Sequence, residues 1–338
     1  MSGLKRLILW KLSLIYRVSV FLWDQYWRRA KKVKLPGKVI SIGNITAGGT
    51  GKTPLAIYVG NLLAEGGLRT AVVARGYGRP TTGLVEVNDD STWLEVGDEP
   101  LEIYQRTKNV RVYVDKSKTR AAQKASADGA DIIIVDDGFQ HRKLHRDINI
   151  ACLDWNEPFG PGGILPKGLL REPIEALRRA DIIIYTNYNK AAAVKQAVPE
   201  FVKKIKHYYS SLAVSGLRDI KTGAVMNIAK FRNKTGAAFC GVGNAKKFWQ
   251  SLYRANIRPV NFQVFQDHYR YNQTDIDKLI QLPGPLKLDY LITTYKDAVK
   301  IQSLDFKGYD VYSAELDISI IDEHGNCRKD DFRKCLGL

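Results

Sequence analysis

Cysteine is scarce in this 338-residue chain, and Cys152, Cys240, Cys327 and Cys335 show no CxxC spacing. That speaks against a zinc ribbon or a dense disulfide framework and favours free thiols in a reducing compartment. Acidic residues are also short, 35 against 52 Lys and Arg, so the net charge of +17 calls for an anionic partner: nucleic acid, a phosphorylated substrate or an acidic lipid surface. No Asn-Lys-x-Asp sequence occurs, which removes the guanine-reading motif of a GTPase switch. No repeat, low-complexity tract or nucleic-acid motif is present, so a basic nucleic-acid-binding module has only the charge in its favour. Hydrophobic and charged fractions of 45% and 26% are those of a folded globular protein, and the length exceeds one ordinary hydrophobic core.

The charge is uneven. Residues 1–38 carry ten Lys or Arg against Asp24 alone. Within LKRLILWKLSLIYRVSVFLWDQYW (4–27), Lys11, Arg17 and Asp24 limit uncharged stretches to six residues, too short for a spanning helix. A secretory signal does not fit either, since no small-residue cleavage site follows. Leu, Ile, Trp and basic residues together suit a helix lying in a membrane interface, with Arg28–Lys34 adding attraction to anionic lipid. The competing reading is a terminal helix packed on its own domain with snorkelling basic side chains.

From residue 38 short β-branched runs alternate with helical stretches, the pattern of βαβ units and a parallel sheet. The expected class is α/β: two α/β/α domains with mainly parallel sheets, the first P-loop NTPase-like. The expected divisions are 1–34 for the amino-terminal helix, 35–205 for the first domain, 206–235 for a weakly patterned connection and 236–338 for the second domain.

Residues 46–54, TAGGTGKTP, follow an expected strand (Lys38–Gly43) and open an expected helix (Thr53–Ala64). Strand, glycine-rich turn, Gly-Lys-Thr and helix form an anion cradle: small residues let backbone N–H groups converge on phosphates, and the helix start adds its dipole. Thr46, Ala47, Gly48, Gly49, Thr50, Gly51, Lys52 and Thr53 are therefore the expected ATP-binding residues, with Lys52 on the phosphates and the Thr53 hydroxyl on Mg²⁺. The usual first glycine of such a loop is replaced by Thr46.

Asp136 and Asp137 follow the DIIIV strand, where a carboxylate faces the ligand crevice of an open α/β sheet; one of the two is expected to serve Mg²⁺ and the other a neighbour, against an acidic N-cap of the next segment. Gly138–Arg142 adds polar groups able to contact phosphate or substrate hydroxyls. Asp98 and Glu99 open a helix, where a capping role for Asp98 competes with a catalytic one. Arg75-Gly76-Tyr77-Gly78-Arg79 offers guanidiniums for phosphate or forms a solvated basic loop. His268 is a candidate base for a hydroxyl proton, against the commoner structural histidine.

Taken in order, VISIGNITAGGTGKTP, ARGYGR, VGDEP, DIIIVDDGFQHRKLHRD, GGILPKGLLREP, RADIIIYTN, CGVGNAKKF, QDHYRY and LITTYKDAVK make the chain resemble the tetraacyldisaccharide 4′-kinase family from about residue 38 to 300. The resemblance implies ATP and Mg²⁺, and as acceptor the 4′-hydroxyl of an acylated glucosamine disaccharide 1-phosphate. It implies a peripheral protein at the cytoplasmic face of the bacterial inner membrane, with no nucleic-acid partner. Carried over by motif, Asp98 and His268 look like the catalytic pair, joined by Lys52. Thr53, Asp136, Asp137 and Glu172 look like the metal site. Arg75, Gly76, Tyr77, Glu99, Arg120, Gln140 and His141 look like substrate or transition-state contacts. Thr293–Asp297 looks like the part facing the nucleotide base, with Tyr295 where the family usually has an acid. A membrane-associated P-loop switch or metal-insertion NTPase is the alternative.

Overall fold

Apolar β-branched runs supply the strands β1 (Lys38–Gly43), β2 (Thr70–Ala74), β3 (Val85–Glu86), β4 (Val110–Val114), β5 (Ile132–Asp136), β6 (Ile148–Asp154) and β7 (Ile182–Thr186) of the first half. The second half adds β8 (Lys206–Asp219), β9 (Val225–Met226), β10 (Gly236–Cys240), β11 (Asn261–Val264), β12 (Tyr290–Thr293) and β13 (Asp310–Ile321). The computed structural model describes residues 3–190, 196–281 and 287–337. Among these, the strands make one 13-stranded sheet in the order β11-β10-β12-β13-β8-β7-β6-β1-β5-β2-β4-β3, with β9 beside β8.

Pairings around β1 are parallel, to β5 on one side and β6 on the other. The chain leaves β1 toward β2 and returns across it to β6, so the strand order reverses there, the topology that opens a ligand crevice at the carboxyl ends of the strands. Side-chain alternation covers both faces. Ile40, Ile42, Val72 and Ile134 pack with Leu55, Val59 and Leu62 of helix Lys52–Glu65. Val39, Val73, Ile133 and Val135 pack on the other face with Ala121, Ala122 and Ala125 of helix Lys118–Ala127. The second half repeats this plan: Ala238 and Ile292 meet Phe248 and Leu252, and Phe239 and Leu291 meet Ile276 and Leu279.

The stretch 206–235 departs from the expected weakly patterned connection. Its first 14 residues are β8, which runs parallel to β7 at its start and then antiparallel to β13. β13, itself 12 residues, begins in parallel pairing with β12. This ladder makes the two expected sheets one. The strand was hidden because it crosses from one core to another, so buried Tyr208, Val214 and Leu217 are interleaved with exposed and polar residues instead of forming one apolar run.

Residues 3–29 form a single helix of 27 residues. It touches the rest of the chain along a narrow stripe: Ser13 Oγ donates to Ile164 O at 2.9 Å, Tyr16 Oη donates to Arg171 O at 3.2 Å, and Asp24 pairs with Arg142. Trp27 is buried, whereas Ile15, Val18, Phe21 and Leu22 are at least half exposed. No helix among the described residues is long and apolar enough to cross a membrane.

Candidate active site

The phosphate loop leaves β1 at Gly43, where a Cβ would stand 2.6 Å from Phe139. Only glycine lets the Asp136–Phe139 segment cross the strand end so closely. Buried Asn44 then ties the loop, its Nδ2 donating to Thr50 Oγ1 at 2.9 Å and weakly to Thr46 Oγ1 at 3.4 Å. Thr46 pairs with Leu170, and Ala47 N donates to Leu169 O at 2.7 Å. Positive φ falls on Gly48 (107°) and Gly51 (75°) and not on Thr46, which explains why position 46 needs no glycine. A Cβ on Gly48 or Gly49 would meet nothing within 4 Å, so this side of the loop opens to the cleft. Helix Lys52–Glu65 starts there, and its first residue, Lys52, lies 3.5 Å from the Asp137 carboxylate.

The two adjacent acids have opposite surroundings. Asp137, in the left-handed region at φ 46°, accepts from Arg171 Nη1 at 2.9 Å. Burial works against its charge, but Lys52, Lys118 and Arg171 outweigh it and hold its carboxyl well below the usual range. Asp136 is buried with Oδ1 lacking any hydrogen-bond partner, and burial, aided by Glu99 and Asp137, pushes it up to about 7. Its segment is fixed by buried Lys118, whose Nζ donates to the carbonyls of Asp136 (2.7 Å) and Asp137 (2.6 Å). An uncompensated carboxylate beside a phosphate loop fits a divalent cation, with the Thr53 hydroxyl as the second protein oxygen.

Glu172 does not complete a carboxylate cluster. It accepts from Arg179 Nη2 at 2.6 Å and from Gln140 Nε2 at 2.9 Å, and Gln140 also donates to Asn44 O at 2.7 Å. Its charge is spent on the neighbouring guanidinium, so it braces the phosphate loop through Gln140. Among the described residues no three His, Cys, Asp or Glu gather as a metal cluster. Arg120 is the second departure: its side chain is 59% exposed, pairs with Asp115 at 2.6 Å and lies outside the cleft.

Opposite the phosphate loop, the expected catalytic pair meets across 170 residues. His268 Nδ1 stands 2.9 Å from Asp98 Oδ2. Gly97, not Asp98, is the cap of helix Asp98–Arg106; Asp98 is its first residue, and its other oxygen accepts from Glu99 N at 2.9 Å, so a local backbone contact and the histidine contact coexist on one carboxylate. Gly97 (φ 95°) and Gly76 (φ 65°) let this turn and the Arg75–Arg79 loop touch; a Cβ on Gly97 would lie 3.1 Å from Gly76 Cα. Exposed Tyr77 covers His268, ring centroids 5.0 Å apart. The hydrogen bond to Asp98 raises the His268 imidazole above its ordinary value, against burial. Asp98 is lowered: burial opposes its charge, but the bond from His268 and the Lys296 and Lys300 ammoniums prevail.

The cleft between the two halves measures about 1020 Å³ and is lined by Gly48–Pro54, Arg75–Tyr77, Glu99, Asp136, Asp137, Gln140, His141 and His268 together. His141 Nε2 contacts Thr119 Oγ1 at 2.8 Å, and burial with nearby Lys118 and Arg146 pushes the ring down to about 4, so it is neutral.

Three residues escaped the motif reading, and a fourth, Lys296, has a neighbour that it did not foresee. Asn44 and Lys118 order the loop and the Asp136–Asp137 turn. Lys247, on helix Ala245–Arg254, reaches from the second half to Asp154 and to Gly49 O. Lys296 Nζ stands 3.2 Å from His268 Nε2, so Thr293–Asp297 reaches the catalytic pair as well as lining the cleft. The i, i+4 spacing of Lys296 and Lys300 was the available signal. Tyr295 is buried with its hydroxyl on Gln105 at 3.3 Å and its ring beside Arg106 and Arg218.

The family model described as tetraacyldisaccharide-1-P 4′-kinase matches residues 5–329. The chain belongs to that family. The tetraacyldisaccharide 4′-kinase of Syntrophus aciditrophicus is 36% identical over 318 residues, covering 88% of this chain and 85% of the relative. That of Geobacter metallireducens is 35% identical over 318 residues, covering 92% and 89%. A crystal structure of LpxK from Aquifex aeolicus, described as an "apo" form in complex with ATP, superposes with a TM-score of 0.80 at 26% identity and 98% coverage of both chains. Membership of this kinase family and the superposition account for the mainly parallel α/β architecture.

Proposed function

We propose that this chain transfers the γ-phosphoryl group of ATP to the 4′-hydroxyl of a tetraacyldisaccharide 1-phosphate. The observation that carries the reading is the Asp98–His268 pair, assembled from the two halves of the chain in the same cleft as the phosphate loop. In this reading the loop N–H groups and Lys52 bind the ATP phosphates, and Lys52 leaves Asp137 to do so. His268 Nε2 accepts the hydroxyl proton as the new O–P bond forms, while Asp98 keeps the ring oriented and stabilises the imidazolium. Arg75, Gly76, Tyr77, Glu99, Gln140 and His141 line the acceptor's approach. Mg²⁺ held by Asp136 and the Thr53 hydroxyl would neutralise charge on the transferred group. Movement of the two halves about the β8–β13 ladder would exclude water from the cleft.

The exposed apolar residues of helix 3–29 support docking on an anionic lipid surface, which we place at the cytoplasmic face of the inner membrane. Tyr16 links that helix to the cleft, so acyl chains held at the surface leave the sugar near His268. Incubation with labelled ATP, Mg²⁺ and the disaccharide 1-phosphate should give a product bearing a second phosphate on the 4′-oxygen. Label released only as inorganic phosphate would refute the acceptor assignment.

A further inference from the structure

Helix Tyr295–Ile301 follows β12 directly, and its i, i+4 spacing sends Lys296 and Lys300 to the same carboxylate–imidazole pair. Lys300 is buried, 2.7 Å from Asp297 and 3.9 Å from Asp98. Lys296 Nζ lies 3.2 Å from His268 Nε2, 3.2 Å from Glu99 Oε1 and 3.4 Å from Asp267 Oδ1. An ammonium has three N–H donors and no lone pair. Its contact with Nε2 therefore requires that nitrogen to be unprotonated, with the ring proton on Nδ1 and donated to Asp98 Oδ2.

We propose that Lys296 is a positioning residue for the phosphoryl acceptor: it holds His268 as the neutral Nδ1–H tautomer, then yields the Nε2 lone pair to the entering hydroxyl and turns wholly onto Glu99 and Asp267. The proposal rests on His268 being the base, as read above. The exchange conserves hydrogen bonds, since the hydroxyl O–H replaces one ammonium N–H at Nε2 while two carboxylates beside Lys296 accept the freed donor. In the transfer that follows, the bond from the hydroxyl oxygen to the γ-phosphorus forms. The bond from that phosphorus to its bridging oxygen breaks, with the electron pair staying on ADP. The hydroxyl proton ends on Nε2.

Charge around the imidazole comes from three elements, and a fourth, the Arg75–Arg79 loop, lays the Tyr77 phenol against the ring, centroids 5.0 Å apart. Asp98 and Glu99 approach from helix Asp98–Arg106, Lys296 and Lys300 from helix Tyr295–Ile301, and Asp267 from the loop that carries His268. The carboxylates favour the protonated ring and the ammoniums disfavour it. Without Lys296, three carboxylates face Lys300 alone, and the ring becomes protonated at a higher pH. A base already protonated accepts nothing, so the contact keeps His268 competent at neutral pH.

The test is a long-range ¹H–¹⁵N titration of the full chain without substrate, with His268→Gln assigning the signal among the five histidines. The unaltered chain should show Nδ1 protonated and Nε2 unprotonated near pH 7.5, a measurement that needs no variant to fold. Lys296→Met should raise the His268 midpoint by about one pH unit, and Lys296→Arg should restore it. The acid limb of kcat/KM for phosphoryl transfer should move by the same amount, with most of the activity recovered at high pH. A proton on Nε2 in the unaltered chain, an unmoved midpoint in Lys296→Met, or an equal loss of activity at every pH would each overturn the proposal. Should the unaltered chain transfer no phosphate while the titration behaves as described, the tautomer assignment stands and the proposed reaction alone falls.

Discussion

Lys52 and Asp137 face each other at 3.5 Å at the mouth of the phosphate loop, and Asp137 is also held by Arg171 at 2.9 Å. The lysine is thus parked on a carboxylate that has a second cation of its own. Lys52→Ala should leave Asp137 paired with Arg171 and the melting temperature within a few degrees of the unaltered chain. Phosphoryl transfer should fall by about 10²-fold or more, since the charge aimed at the transferring group is gone. A folded variant with undiminished transfer would remove the loop from the mechanism.

Most of the first half was legible because its chemistry is local. The strand Lys38–Gly43 and the helix after the phosphate loop fall within a residue of where the apolar run and the glycine-rich turn put them. β8 and the far end of β13 were not legible, because each passes between two cores and changes partner along its length. At the site, motif order paired Asp98 with His268, which stand 2.9 Å apart, but spacing could not show that Arg179 claims Glu172 or that Asp115 claims Arg120. Whether a carboxylate is free for a ligand depends on neighbours distant in sequence.

Asp98→Asn and His268→Gln should each lower kcat by about 10²–10⁴-fold with little change in the KM for ATP. The double variant should be hardly worse than either single one, as expected of residues acting as a unit. The pair also sets a pH dependence. His268 is raised in the folded state, so its contribution to stability is full below the ordinary imidazole value and is lost as pH rises through the raised one. Asp98 is lowered, so its contribution is present above the ordinary carboxyl value and is lost as pH falls through the lowered one. The melting-temperature difference between unaltered and Asp98→Asn chains should therefore peak between about pH 4 and 6.5 and narrow above. A pH-independent difference would contradict the pairing.

His141 titrates the other way. Its ring is pushed down to about 4 by burial and by Lys118 and Arg146, so the folded chain leaves it neutral where the unfolded chain protonates it. Its contribution is full above the ordinary imidazole value and is lost as pH falls from about 6.5 toward 4, on the order of 3 kcal/mol in all. His141→Gln can keep an acceptor for the Thr119 hydroxyl and has no proton to gain. Denaturant unfolding at pH 7.5 and 5 should show the variant losing less stability on acidification than the unaltered chain; parallel losses would assign the acid sensitivity elsewhere.

The amino-terminal helix gives the sharpest separation of folding from localisation. Its contacts with the rest of the chain run through Ser13, Tyr16, Asp24 and Trp27, two pairs three residues apart on the same stripe of the helix. Ile15 and Leu22 point elsewhere and are 64% and 61% exposed. Replacing both by Glu removes two apolar insertions and places negative charge against anionic headgroups, without touching the docking stripe. Burial of such a side chain is worth about 1.5–3 kcal/mol, so partitioning onto vesicles of anionic phospholipid should fall at least tenfold while the melting temperature is unchanged. Turnover of a short-chain, detergent-dispersed acceptor should also persist, because the cleft is intact. If vesicle binding survives, the exposed apolar surface is not a lipid contact; if stability drops instead, the helix is held by more than its narrow stripe.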